Sequence, residues 1–240
     1  MKVKPLFIVI LLISFSFVNA QEYSFGLKGG INFNNIGELD HYGLARGGGV
    51  NAVPSTDLIY PADKEMGMQF GAFGMIAFNK FFIRPEVIFV TSKNSYPLAL
   101  KTSNWTSTKI DIPILFGYNI YEPFSIYVGP AFSNISSMEL EGVQSPIVFE
   151  KSAINLNAGI IAEFGRFGID LRYQYELKPT ADQRIDIVAT SYGTNVAHFL
   201  EYNLSQIQLS VHINIIKINS DDRGHRIKSN WRGGNRGCSN

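Results

Sequence analysis

Residues 109–133, KIDIPILFGYNIYEPFSIYVGPAFS, restrict the fold more than any other stretch of the chain. Ile110, Ile112, Ile114, Phe116 and Tyr118 alternate with Lys109, Asp111, Pro113, Leu115 and Gly117, a period of two that only an extended strand converts into two faces. After Tyr121-Glu122-Pro123 the pattern restarts: Phe124, Ile126, Val128, Pro130 and Phe132 oppose Ser125, Tyr127, Gly129, Ala131 and Ser133. Two strands joined by a tight reversal are expected, each with one apolar face.

The pattern recurs along the chain. Tyr23, Phe25, Leu27, Gly29, Ile31 and Phe33 oppose Ser24, Gly26, Lys28, Gly30, Asn32 and Asn34. Residues 35–65, with Arg46-Gly47-Gly48-Gly49, lack periodicity and read as a loop. A strand over 66–78 turns at Asn79-Lys80 into one over 81–92, and a loop over 93–104 leads to the hairpin above. A third loop, 134–152, precedes a strand over 153–164, a turn at Gly165-Arg166 and a strand over 167–177. A fourth loop, 178–201, precedes the last strand, 202–216, where a parity slip near Ser205-Gln206 predicts a bulge. Long and short connections alternate, the layout of an all-β, eight-stranded antiparallel up-and-down transmembrane β-barrel with its tight turns and termini on the periplasmic side.

Alternation alone does not say which face points outward, because a soluble lipid-binding barrel would enclose its apolar face. Three features favour apolar side chains outside. Gly26, Gly30, Gly67, Gly71, Gly117, Gly129, Gly159 and Gly168 share the polar face, as a narrow interior requires. Tyr23, Phe25, Phe78, Phe81, Tyr118, Tyr121, Phe124, Phe164 and Phe167 gather at the tight-turn ends, forming an expected aromatic girdle. Finally, Lys28, Arg84, Glu86, Lys109, Asp111, Glu163, Asp170, Arg172 and Glu176 all oppose the apolar series. Enclosed charges need partners, so a lumenal ion network is expected.

Composition agrees with a membrane β-protein: charged residues are 17%, aromatics 13%, and glycine occurs 22 times. The formal net charge of +1 gives no case for nucleic acid. Residues 1–20, with Lys2 and Lys4 before an apolar run and Val18-Asn19-Ala20 at its end, read as a cleaved signal peptide. Residues 21–218 then form the barrel domain. Residues 219–240 read as a basic, disordered periplasmic tail, whose Arg223, Arg226, Lys228, Arg232 and Arg236 suit an anionic partner. The lone Cys238 excludes an internal disulfide.

Function follows less directly. The ion network reads as a gated pore or as a filled, braced barrel; an eight-stranded lumen is just wide enough for side chains to fill, and Phe73, Met75, Leu115, Tyr127 and Ile161 add bulk. Catalysis needs a nucleophile and base in reach, yet His41, His198, His212 and His225 lack a partner by spacing, apart from Ser191 near His198. The sequons at Asn104, Asn134 and Asn203 read as chance. The expected protein is a non-enzymatic integral outer-membrane barrel without catalytic residues, cofactor or metal. Its partners are outer-membrane lipids and an unspecified periplasmic or surface protein, and the extracellular loops 35–65 and 178–201 carry whatever specificity exists. The rivals are an outer-membrane lipid-modifying hydrolase and a soluble lipid-binding barrel.

Phe25-Gly26-Leu27-Lys28-Gly29-Gly30-Ile31-Asn32 resembles the opening strand of the PorT-type, porin-family outer-membrane β-barrels of Gram-negative bacteria. Arg84-Pro85-Glu86, Ile112-Pro113-Ile114-Leu115, Tyr127-Val128-Gly129-Pro130 and Leu171-Arg172-Tyr173 are similar to its later motifs, and the likeness runs through most of 23–216. The resemblance implies an outer-membrane barrel, with a secretion-associated accessory role as a further alternative. Barrels of this kind commonly end at the last strand, whereas this chain continues past Lys217.

Overall fold

The computed structural model describes residues 21–41, 58–144, 146–193 and 196–218. The expected leader, 1–20, and the expected tail, 219–240, with Cys238, His225 and the tail arginines, lie outside the described residues, as does Arg46-Gly47-Gly48-Gly49. In chain order the strands are β1 (Gln21–Asn35), β2 (Leu39–His41), β3 (Leu58–Tyr60), β4 (Asp63–Phe78), β5 (Phe81–Pro97) and β6 (Thr102–Tyr121). There follow β7 (Phe124–Leu140), β8 (Ser152–Phe164), β9 (Phe167–Glu176), β10 (Gln183–Asp186), β11 (Val196–Phe199) and β12 (Ser205–Ile218), with a short helix α1 (Ala189–Tyr192) between β10 and β11.

Eight of these strands close into a barrel in the order β1-β12-β9-β8-β7-β6-β5-β4, every neighbour antiparallel. Closure leaves no barrel edge, which is how a β-structure satisfies its backbone in hydrocarbon. Along the strands the apolar series points outward: Leu27, Phe70, Phe89, Ile114, Val128, Leu156, Leu171 and Leu209 are all exposed. Three tight turns, Asn79-Lys80, Glu122-Pro123 and Gly165-Arg166, mark one end together with the start of β1 and the finish of β12. Asn79 and Gly165 take positive φ, 57° and 67°, the left-handed conformation that Asn and Gly tolerate at such reversals.

Three departures from the sequence reading have one physical origin. The strand β5 continues to Pro97, β6 begins at Thr102, and β7 continues to Leu140, so most of 93–104 and 134–140 is strand rather than loop. Residues 35–65 and 178–201 contain β2, β3, β10, α1 and β11. The last strand carries no slip at Ser205-Gln206, since Tyr202 and Leu204 share the buried parity of Gln206. Its register shift lies at the other end, where Phe25 pairs Ile216 and Gly26 pairs Asn214, leaving Ile215 as the extra residue. Above the apolar band the outer face turns polar, as at Asn104, Asn134 and Glu139, and the inner face turns apolar where Trp105, Met138 and Leu140 meet the cap, so the pattern that marks a lipid-facing strand is lost.

The lumen is packed by a simple device. A Cβ at Gly26 would collide with the Phe73 ring, one at Gly117 with Phe82, one at Gly159 with Tyr127, and one at Gly168 with His212. Each ring therefore lies over a glycine of a neighbouring strand. Phe82, Leu115, Tyr127, Ile161 and Ala77 form one buried cluster, against which Met75 packs.

Because Leu171 faces outward near the middle of β9, Leu171→Arg is expected to destabilise the vesicle-embedded barrel by about 2–4 kcal/mol. The measurement is the urea midpoint, followed by the gel shift between unboiled and boiled samples. An unchanged midpoint would place Leu171 away from lipid.

Candidate functional site

Parity puts Lys28 of β1, Arg84 and Glu86 of β5, Tyr127 of β7, and Asp170 and Arg172 of β9 on the inner face, and the closed sheet brings them to one level. In the ring these are alternate strands; β1 stands opposite β7, and β5 opposite β9. Lys28 Nζ lies 2.6 Å from Asp170 Oδ2 and 3.4 Å from Glu86 Oε2. Arg172 Nη2 donates to Glu86 Oε2 at 2.8 Å and to Asp170 Oδ2 at 3.0 Å, while its Nε donates to Tyr127 Oη at 2.9 Å. The Tyr127 hydroxyl donates to Asp170 Oδ1. Both diameters of the barrel are thereby bridged by buried side chains.

Arg84 behaves differently. Its Nε is 2.8 Å from Glu86 Oε1, but the pair is not aligned as a hydrogen bond, and the guanidinium stacks 3.8 Å above the Phe73 ring. Charge contact and cation–π attraction hold it instead of directed bonds. One level below, His212 Nε2 lies 3.5 Å from Glu163 Oε1, and its ring meets Phe73 edge-on at 5.2 Å.

Towards the end with long connections the lumen becomes an amide network. Lys109 Nζ lies 3.1 Å from Asp111 Oδ2 and donates to Gln174 Oε1 at 2.9 Å; Gln174 Nε2 donates to Asp111 Oδ2 at 3.1 Å. Gln208 donates to Gln206 at 2.7 Å, and Gln206 to Ser92 Oγ at 3.1 Å. Asp111 also accepts from Ser133, which accepts from Asn155. These glutamines and asparagines were not singled out from sequence; their signal is the same inward parity that marks the charges. The aromatic residues Tyr23, Phe25, Phe78, Phe81, Tyr118, Tyr121, Phe124, Phe164 and Phe167 flank the turn end of the wall, with Phe81 and Tyr118 rings 5.1 Å apart.

Above the wall the long connections fold into a cap. Its antiparallel sheet has the order β10-β11-β2-β3 and joins the first long connection to the last. A core of its own includes Leu39, Tyr96, Trp105, Ile187, Phe199 and Tyr202, all buried. The Tyr96 hydroxyl donates to the Gly37 carbonyl at 2.6 Å, and burial pushes that phenol well above its ordinary range. On the rim, Lys101 Nζ donates to Glu141 Oε1 at 2.6 Å; that bond holds the Glu141 carboxyl below the usual carboxylate range. His198 of β11 lies 3.5 Å from Asp182 Oδ1, whereas Ser191 belongs to α1. No group of three or more His, Cys, Asp or Glu able to hold a metal occurs among the described residues.

The wall is uneven, and a cavity of about 700 Å³ lies where it is low. Pairing of β6 with β7 reaches Trp105 and Leu140, but pairing of β7 with β8 stops at Asn134 and Ser152. The cavity is lined by lumen-facing Lys109, Asn155 and Glu176, by outward-facing Phe132 and Ile154, and by Trp105 and Phe149 of the cap.

A family model described as an outer membrane protein beta-barrel domain matches residues 19–182. No curated protein is significantly similar in sequence. Similar solved structures include the outer membrane protein OprG from Pseudomonas aeruginosa, at 12% identity over 81% of this chain and 97% of that one, with a TM-score of 0.45. They also include Ail of Yersinia pestis with the heparin analogue sucrose octasulfate, at 12% identity, 82% and 99% coverage and a TM-score of 0.39. Neisserial surface protein A is similar at 13% identity, 80% and 99% coverage and a TM-score of 0.39.

The central level holds three cations, Lys28, Arg84 and Arg172, against Glu86 and Asp170. Losing an anion therefore worsens the imbalance, and losing a cation relieves it. Asp170→Asn is expected to cost about 3–5 kcal/mol, and Lys28→Met clearly less, by urea midpoint in vesicles. Equal costs would mean that charge balance does not govern this level.

Proposed function

We propose, for a chain that belongs to the outer membrane protein beta-barrel domain family and is therefore an integral outer-membrane barrel, a closed lumen and a binding role carried by its cap. The cap is the supporting observation: a folded sheet with a hydrophobic core is more than closing strand ends requires, and binding residues usually ride on such rigidly supported connections. Closure of the lumen is supported by the buried level around Arg172, which bridges both diameters and leaves its side chains almost without solvent contact. In this reading the cap faces the outside of the cell and the tight turns face the periplasm, as short turns and long loops are arranged in such barrels.

The PorT-type assignment belongs to the same reading. The segments resembling that family contribute Lys28, Arg84, Glu86 and Arg172, four of the five charges of the central level. A cleaved leader before Gln21 fits an exported barrel, and a non-enzymatic role is part of the same reading.

Orientation is tested by cysteine labelling in a Cys238→Ser background. Leu100→Cys, at the exposed tip between β5 and β6, is expected to react with a membrane-impermeant maleimide on intact cells, and Lys80→Cys only after the outer membrane is permeabilised. The reverse pattern would put the cap in the periplasm. In planar bilayers the wild-type protein is expected to give no resolved current steps. A variant with Arg84, Tyr127 and Arg172 all replaced by Ala is expected to conduct; steps from the wild type would overturn the closed lumen.

A further inference from the structure

The cavity at the low wall touches both faces of the sheet, and this is its informative property. Phe132 and Ile154 face outward, 48% and 58% exposed, at the top of the apolar series of β7 and β8; Asn155 and Lys109 face the lumen. Neighbours on opposite faces of a wall can share one cavity only where the wall is interrupted. Here β8 starts at Ser152 and β9 finishes at Glu176, while β7 runs on to Leu140 without a barrel neighbour on that side. Counting from Phe164 to Ile154, the outward apolar run of β8 rises about 25 Å when tilted like a barrel strand, the height of the apolar band in such proteins. The gap thus opens at the upper border of that band.

Its chemistry is two-sided. Trp105, Phe149, Leu177 and Leu204 supply an apolar body. Most charges around it are already engaged: Lys109 with Asp111 and Gln174, Lys178 with Glu150, and Asp182 with His198. Glu176 is the exception, since its carboxylate makes no hydrogen bond or ion pair among the described residues. A half-buried acceptor without a donor, at the head of an apolar cleft, selects a ligand that brings the donor.

We infer that this cleft binds a small single-chain amphiphile through a hydrogen-bond-donating head, amine or hydroxyl, placed on Glu176, with its chain running past Trp105 and out between Phe132 and Ile154. The inference rests on the cap as the binding region and gives that region a ligand class. Anionic heads are disfavoured, because Glu150, Glu176 and Asp182 outnumber Lys109 and Lys178 in the lining.

Trp105 reports on occupancy. The chain has two tryptophans, so full-length protein carrying Trp231→Phe leaves Trp105 as the only one. In phosphatidylcholine vesicles, 12-bromododecylamine and 12-bromododecanol are expected to quench its fluorescence saturably. The matching carboxylate, 12-bromododecanoate, is expected to bind at least tenfold more weakly. Glu176→Gln is expected to weaken the amine about tenfold, as losing a charge-assisted hydrogen bond does. Ala181→Phe, which narrows the cleft from its exposed side, is expected to weaken all three. Adding lysophosphatidylethanolamine, a single-chain membrane lipid with an amine head, separates two sources of that head: competition identifies a membrane lipid, and its absence a diffusible amphiphile. Unsaturable quenching, or equal quenching by all three probes in all variants, would overturn the site while the maleimide labelling pattern stands. Failure of the labelling pattern would instead remove the cap's outward orientation.

Discussion

In hydrocarbon, an amide or carbonyl that lacks a backbone partner has no water to turn to, and this one requirement governs the rest of the molecule. It forces the strands to close on each other, with β1 returning to β4 on one side and β12 on the other. Eight strands make a tube too narrow for ordinary side chains at every inner position. Glycines at Gly26, Gly117, Gly159 and Gly168 give the room that Phe73, Phe82, Tyr127 and His212 occupy. The small residues and the rings are two halves of one packing solution.

The same narrowness shapes the electrostatics. Charges removed from water lose several kcal/mol of solvation each unless close partners replace it. At the central level the partner of a charged side chain comes from across the lumen, from two strands away or from two residues along the same strand. Lys28, Glu86, Tyr127, Asp170 and Arg172 therefore meet from alternate strands. A layer built this way braces the cross-section, because displacing one strand disturbs contacts to two others.

The barrel was legible in the sequence wherever lipid lies on one side and the lumen on the other, as in residues 109–118 and 124–133, since that asymmetry writes the period of two. It became illegible above the apolar band. Trp105, Met138 and Leu140 are buried against the cap, so the apolar outer series of β6 and β7 ends below them although both strands continue. Tyr202 and Leu204 suggested a slip because their apolar character mimics the outer face, although they point into the cap core. For the charged residues, parity decides the face, but not the partner: Lys28 meets Asp170 across 142 positions of sequence, a distance no local pattern encodes. The cleft was invisible for a related reason, since it depends on where β8 and β9 stop relative to β7.

The joining of β2 to β11 carries a consequence for how the tube is assembled. Below, the first and last barrel strands meet along Phe33 and Ile207; above, the segments that follow and precede them meet again along Leu39 and Phe199. The chain's two extremities are thus zipped at two heights by the same antiparallel relationship. A one-residue misalignment of the seam would turn the inner residues of β12 towards lipid and would also break the match overhead. The crown ties the same two stretches of chain a second time, so peeling β12 from β1 at its upper end would have to undo the pairing overhead as well.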